Sequence, residues 1–282
     1  MDGHKVHLNA FREDISNGHS CIRFEWKPDH LSFFEILQQA GLTPLPPYMN
    51  RPSEEEDKIR YQTIYAQSDG SVAAPAAGLH FTEEVLKSLK EKNISTNKVT
   101  LHVGAGTFKP VSTENIGQHE MHTEKIVVPK LTIQHILNRL NDKIILVGTT
   151  TVRTIESLYW HGVKLLTENI PDMRVDIKQW DPYKTEYNQE IDVSTALEKI
   201  LEMMKNKQMD VLTGQTQLMI VPGYKYRIAD IIITNFHMPK STLLLLVSAF
   251  IGKSWNDVYS YALENDFRFL SYGDSCLFFK KE

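Results

Sequence analysis

The stretch KIILVGTTTVRTIESLYW, residues 143–160, decides the fold. Its first part, KIILVG, is a continuous apolar run of strand length that ends on a glycine. A run without polar alternation is what a strand buried on both faces requires. The second part changes period. Val152, Ile155, Leu158 and Tyr159 recur at helical spacing and form an inward stripe. Strand, glycine turn and helix in that order are the repeating unit of an α/β domain.

The same alternation extends in both directions. NKVTLHV (97–103) alternates Val99, Leu101 and Val103 as a strand does, and Ile133, Ile136, Leu137 and Leu140 keep helical spacing. LMIVPG (218–223) and DIIITNF (230–236) read as two more buried strands. Thr82, Ser194 and Ser241 precede helical stripes as N-caps, and NDVYSYALE reads as the last helix. The expectation is an α/β domain with helices outside a largely parallel sheet or barrel. The acid run SEEEDK (53–58) reads as the solvated first turn of a helix reaching Gln67, where acids offset the dipole. Residues 164–189 are polar and irregular and read as an insertion or long loop.

The N-terminus is of another kind. KVHLNAFREDISNGHSCIRFEW reads as two strands around an Asn17-Gly18 turn, followed by the amphipathic helix LSFFEILQQAG. TPLPPYMNRP is a proline-stiffened connector and the expected boundary, which divides the chain into residues 1–43 and 44–282.

Composition sets outer limits. The 282 residues are 41% hydrophobic and 23% charged, with a formal charge of −4, so no global basic field advertises nucleic acid. Lys87, Lys90, Lys92 and Lys98 are the local basic residues that suit phosphate contacts. Cys21 and Cys276 suit a reducing compartment and supply no metal framework. The longest apolar run, Leu243–Ile251, is far short of the roughly 20 residues of a membrane helix. A cytoplasmic protein without a signal peptide or membrane contact is expected.

Five glycine- or proline-bearing polar segments fall at predicted strand ends or helix starts, where α/β folds bind ligands. They are AAPAAGLHFT (73–82), HVGAGTF (102–108), VGTTTVR (147–153), TNFHMPKST (234–242) and SYGDS (271–275). HVGAGTF begins like a dinucleotide loop, but Lys109 and Pro110 stand where the third glycine should open a helix. Gly104 and Gly106 instead suit close approach of a ligand to the backbone. Thr149 and Thr150 open a helix, where amides and hydroxyls bind anions, and Arg153 pairs carboxylates. Asn235, Phe236, His237 and Lys240 lie in one connector, and Tyr272 and Asp274 flank Gly273. His119 and His122 lack the four-residue spacing of zinc peptidases, so no metal is expected. No nucleophile elbow occurs either.

GSVAAPAAGLHFT, VTLHVGAGTFKPV, HEMHTE, VGTTTVRTIES, PGYKYRIADIIITNFHMPKSTLLLLVSAF and FRFLSYGDS resemble, in order, the signature segments of the S-adenosylmethionine:tRNA ribosyltransferase-isomerase family. The resemblance runs from about Pro44 to Phe279, weakly between Tyr159 and Leu218. It implies transfer and isomerisation of the ribosyl part of S-adenosylmethionine onto 7-aminomethyl-7-deazaguanine at the tRNA wobble position. The products are epoxyqueuosine, adenine and methionine, a step of queuosine synthesis. S-adenosylmethionine is then a consumed substrate, and no cofactor is implied. The implied fold is a barrel-like α/β catalytic domain, with residues 1–43 the remnant of a smaller inserted β-barrel domain.

The reaction's needs suggest roles. Arg153, Thr149 and Thr150 suit the methionine carboxylate. Phe81, Phe236 and Tyr272 suit the adenine. His80, His102, His237 and Asp274 are the candidate catalytic groups for removing a proton beside the sulfonium. Two departures stand out. Ala76 replaces the family's usual Thr, and the family's first segment, with its NDT-x-V-x-P-A-R-L-like motif, has no counterpart in this sequence. The expectation is an N-terminally shortened member or fragment. Its expected partners are tRNA, S-adenosylmethionine and a separate chain supplying the missing segment. The competing expectation is an inactive or incomplete paralogue acting as an RNA- or partner-binding module.

Overall fold

The computed structural model describes residues 6–16, 19–67, 71, 73–104, 115–168, 173–187 and 190–281. Two units are distinguished, Met1–Thr43 and Pro44–Glu282.

In the first unit, β1 (His7–Ser16) and β2 (His19–Lys27) pair antiparallel, with a register shift between Arg12 and Asp14. The Asn17-Gly18 turn lies outside the described residues. α1 (Phe33–Ala40) begins at Ser32, whose hydroxyl accepts the Glu35 N–H while the Glu35 carboxylate accepts the Ser32 N–H. This reciprocal cap satisfies two donors left over at the helix start. The Phe33 ring packs on Phe24 and Trp26, with centroids 4.9 and 5.5 Å apart. The described strands make a two-stranded ribbon, and no barrel remnant is visible in it.

The second unit contains α2 (Asp57–Arg60), α3 (Glu83–Glu91), β3 (Thr100–His102), β4 (Glu124–Pro129), α4 (Lys130–Asn138), β5 (Ile145–Val147) and α5 (Thr149–Thr167). It continues with β6 (Val175–Ile177), α6 (Val193–Asn206), β7 (Val211–Thr216), β8 (Ile231–Asn235), α7 (Thr242–Ile251), α8 (Trp255–Glu264) and β9 (Ser275–Phe279). The strands form a four-stranded sheet, β3-β4-β7-β6, and a three-stranded sheet, β5-β8-β9. The fold is mixed α/β. Among the described residues the two sheets are separate and close no barrel.

The strand directions correct the expectation of a largely parallel sheet. Among the described strands of this unit only β5–β8 and β6–β7 run parallel, while β3–β4, β4–β7 and β8–β9 are antiparallel. An apolar run does not report strand direction, and in β5 it does not report burial at every position, since Ile145 is exposed. The same limit explains LMIVPG. Leu218, Met219 and Ile220 are buried as predicted, but as irregular chain, and the strand is the preceding VLTGQT. The predicted insertion also contributes to the core. β6 pairs with β7 at the sheet edge, with Val175 and Ile177 buried, and buried Asp181 ion-pairs with Lys164 of α5 and with Lys184. Three residues are too few for periodicity to show.

α5 touches strands of both sheets and is buried almost continuously from Thr149 to Val163. Such a helix tolerates no outward polar face. Several of its polar residues are tied inward. Ser157 shares a 2.7 Å hydrogen bond with Thr216 of β7. Glu156 accepts the N–H groups of Arg227, Ile228 and Ala229 and the Tyr224 hydroxyl, all at 2.9–3.0 Å. α6 crosses α5 so closely that a Cβ on Gly162 would lie 2.3 Å from the Ala196 carbonyl oxygen. α6 begins after Asp192, with no side-chain cap, so Ser194 is inside the helix. Thr82 and Ser241 do cap α3 and α7 through the N–H groups of Val85 and Leu244.

Candidate active site

Two polar clusters meet where β5 and β8 end. The first is buried. Gly148, with φ +87°, turns β5 into α5, a conformation glycine adopts without strain. Thr149 and Arg153 are buried in the first turns of α5. Opposite them, β4 begins with Glu124. Alternation along β4 puts Glu124 on the inward face with Ile126 and Val128. Glu124 Oε1 accepts the Thr150 hydroxyl at 3.0 Å and lies 3.2 Å from His122 Nε2. Glu124 Oε2 has no hydrogen-bond partner and faces Arg153 Nη1 at 3.6 Å. Arg153 Nη2 reaches the Thr242 hydroxyl at 3.5 Å, at the start of α7. Burial disfavours ionisation of Glu124, but Arg153, His122 and Thr150 outweigh it and hold the carboxyl below its ordinary value.

His237 completes this cluster. Its Nε2 lies 2.9 Å from the Thr234 hydroxyl, and its N–H donates to the Tyr259 hydroxyl. Burial, and then the Arg153 charge, push its imidazole down to about 3, so it is neutral near neutral pH.

The second cluster is open. A cavity of about 260 Å³ is lined by Ala76, His80, Arg268, Tyr272, Asp274 and Ser275, among others. His80 ends a 3-10 turn, residues 76–80, that packs on β8. A Cβ on Gly78 would lie 2.7 Å from Thr63 Cγ2, so glycine lets the turn approach. Asn235, the last residue of β8, donates from Nδ2 to the Leu270 carbonyl at 3.1 Å and lies 3.0 Å from His80 Nε2. Its Oδ1 is buried without a partner, an arrangement that costs about 1–3 kcal/mol.

The loop opposite His80 is strained and firmly held. Leu270 and Tyr272 have φ of +69° and +61°, where non-glycine residues are uncommon. Leu270 is fixed by Asn235 and by the Phe236 carbonyl, and the Tyr272 hydroxyl donates to Asp57. Asp57 is itself buried and bidentate with Arg51 at 2.7 and 2.8 Å. Strain held by many partners is typical of functional sites. Asp274 accepts the Arg268 N–H and guanidinium, which hold its carboxyl below the ordinary value.

The sequence-predicted residues thus divide. His80, Asn235, Tyr272 and Asp274 come together at the cavity. Thr149, Thr150, Arg153 and His237 come together in the buried cluster. Arg153 meets a carboxylate of its own chain and is buried, which closes it to an outside carboxylate in this structure. Phe236 is also buried, its ring packed among Tyr259, Phe267 and Phe269 and not open to an adenine. Phe81 is half-buried, and Lys240 is exposed in a φ +56° turn before α7. His102 pairs with Lys125 across β3–β4, on the face opposite Glu124, and joins neither cluster. Gly104 is exposed with open space where a Cβ would sit, and Gly106 lies outside the described residues.

Two participants escaped the sequence reading. Asp57 looked like one solvated acid among several, and α2 is a single turn rather than a helix to Gln67. Glu124 had a legible signal, because a carboxylate in phase with Ile126 and Val128 stands on an apolar face. A larger hollow of about 440 Å³ along α3 holds none of these residues. Its rim is exposed Lys87, Lys90 and Glu83 with Ile94, so the smaller cavity is the candidate site. Among the described residues no helix is long and apolar enough to cross a membrane.

Comparison with known proteins agrees with the family resemblance. The family model described as a queuosine biosynthesis protein matches residues 3–170 and 176–278. The chain is 40% identical over 273 residues to the S-adenosylmethionine:tRNA ribosyltransferase-isomerase of Vesicomyosocius okutanii, covering 96% of this chain and 65% of that protein. It is 40% identical over 285 residues to that of Rickettsia bellii, covering 100% of this chain and 67% of the relative. It spans about two thirds of the length of these relatives. A crystal structure of S-adenosylmethionine tRNA ribosyltransferase from Thermotoga maritima is also similar. It has a TM-score of 0.46 and 24% identity, covering 96% of this chain and 62% of that one.

Proposed function

The chain belongs to the family of queuosine biosynthesis proteins, and from that premise we propose that it carries out ribosyl transfer and isomerisation from S-adenosylmethionine to tRNA. The acceptor base is 7-aminomethyl-7-deazaguanine at the wobble position, and the products are epoxyqueuosine, adenine and methionine. The observation that carries this reading is the meeting of His80, Asn235, Tyr272 and Asp274, from three separate family-like segments, around one cavity. Unrelated packing would have no reason to bring those segments together.

The cavity suits a cationic sulfonium ligand. Asp274 stays ionised at neutral pH, because the N–H and guanidinium of Arg268 favour its charged form. A carboxylate held that way is a poor proton abstractor, since a general base works best with a pKa near the operating pH. Asp274 therefore serves as a charged acceptor. Tyr272, half-buried and tethered through Asp57, offers a ring edge to a flat base. Arg153 and Glu124 face each other in the buried cluster and are not among the residues that line the cavity.

The test is direct. Purified chain is incubated with S-adenosylmethionine and tRNA bearing the precursor base, with and without the N-terminal segment of a relative in trans, and adenine release is followed. Adenine is expected in at least one arm, and a drop of about tenfold or more for Asp274→Ala, the loss of one charged contact. No adenine in either arm defeats the reading.

A further inference from the structure

Asn235 is more than a strand-end polar residue. Its Nδ2 carries two protons. One goes to the Leu270 carbonyl at 3.1 Å, an atom that only accepts, and this fixes which side of the amide faces that way. The same nitrogen lies 3.0 Å from His80 Nε2. Nε2 must then be the accepting nitrogen, and the ring proton sits on Nδ1. The inverse orientation of the amide would set Oδ1 against the Leu270 carbonyl, two acceptors face to face. The anchor is firm, because Leu270 is also held through its N–H by the Phe236 carbonyl. Asn235 leaves its own Oδ1 buried and unpartnered in this pose. A residue retained only for packing would have no reason to carry that cost.

We infer that Asn235 is a positioning residue that locks His80 as a neutral imidazole with its proton on Nδ1, so that His80 offers the cavity a hydrogen-bond donor and not a base. The ligand group it recognises is an acceptor without a proton of its own, such as a purine ring nitrogen. This rests on the ribosyl-transfer reading for the identity of that purine, the adenine of S-adenosylmethionine. The tautomer itself does not rest on it. A neutral imidazole donates a hydrogen bond without giving up its proton, so the assignment is one of recognition and polarisation. It removes His80 from the candidates for abstracting the proton beside the sulfonium.

The tautomer is read on the ligand-free chain by long-range nitrogen–proton correlation of ¹⁵N-labelled histidine, with His80 assigned by its loss in His80→Phe. The expected result is a protonated Nδ1 and a bare Nε2. Asn235→Asp supplies an acceptor in place of the donor and is expected to move a proton onto Nε2. It is also expected to weaken binding of adenine, the probe used, about tenfold, and to lower the urea unfolding midpoint, because the Leu270 carbonyl loses its donor. A merely structural role would move the midpoint and leave the tautomer alone. Protonated Nε2 in the unmodified chain overturns the inference, and that measurement holds even if Asn235→Asp does not fold. Bare Nε2 in the unmodified chain, together with no adenine release in the turnover assay, defeats the ribosyl-transfer reading and upholds this one.

Discussion

Glu156 and Glu124 are both buried, one on α5 and one facing it from β4, yet their surroundings differ. Glu156 accepts four hydrogen bonds, two at each oxygen, and so ties residues 224–229 to the central helix. Glu124 accepts at one oxygen, while the other faces the Arg153 guanidinium at 3.6 Å with no hydrogen bond. The first is saturated and serves the fold. The second keeps an ion pair without a hydrogen bond at the junction of β4, α5 and α7. A buried carboxylate is thus not by itself a functional signal. What distinguishes the two is how completely the fold satisfies them.

The largest expected effect tests the saturated member. Glu156→Ala strands three buried N–H groups and a tyrosine hydroxyl, each costing about 1–3 kcal/mol, so a loss of at least about 4 kcal/mol is expected in urea unfolding. A loss below about 1 kcal/mol would break the contrast. Glu124→Gln comes next. It leaves Arg153 buried without a counter-charge, at an expected cost of about 3 kcal/mol near pH 7. Its sign with pH is fixed by the lowered carboxyl. The ionised form stabilises the fold above the unfolded value of about 4.3, and that contribution fades as pH falls toward the folded value. The gap between Glu124→Gln and the unmodified chain should therefore narrow on acidification, and a gap independent of pH would sink the charge-pair assignment.

Smaller effects sharpen the picture. Gly162→Ala drives a methyl into the α6 backbone near Ala196 and should cost about 1–3 kcal/mol without touching either carboxylate. If its effect proves additive with Glu124→Gln, the site is insulated from helix packing. Thr150→Val removes one donor to Glu124 and should cost about 1.5 kcal/mol, the lower range for a hydrogen bond to a charged group.

Legibility in the sequence followed the range of the interaction. α4, α5, α7 and β8 were readable because periodicity is local. The strand-end segments holding His80, Asn235, Tyr272 and Asp274 were readable because glycine, proline and polar residues punctuate them. The short edge strand β6 and the irregular buried stretch 218–221 were misread, because three residues show no period and burial does not require a strand. Glu124 was legible in principle from the alternation of β4. Arg153 was singled out for a ligand carboxylate, and in the structure it faces the carboxylate of Glu124.

By itself the sequence determined the alternation of strands and helices, the helix that follows Gly148 and the set of segments from which a site is built. Those features are written in near-neighbour pattern. Only the tertiary structure decided who faces whom. His80 and Asn235 are 155 positions apart, and Tyr272 and Asp57 are 215 apart. Periodicity reports which face of an element is buried, but the partner across that face is set by how distant short strands pair and how α5 lies against both sheets. A histidine's tautomer and a carboxylate's charge follow from those partners, so both were decided by packing.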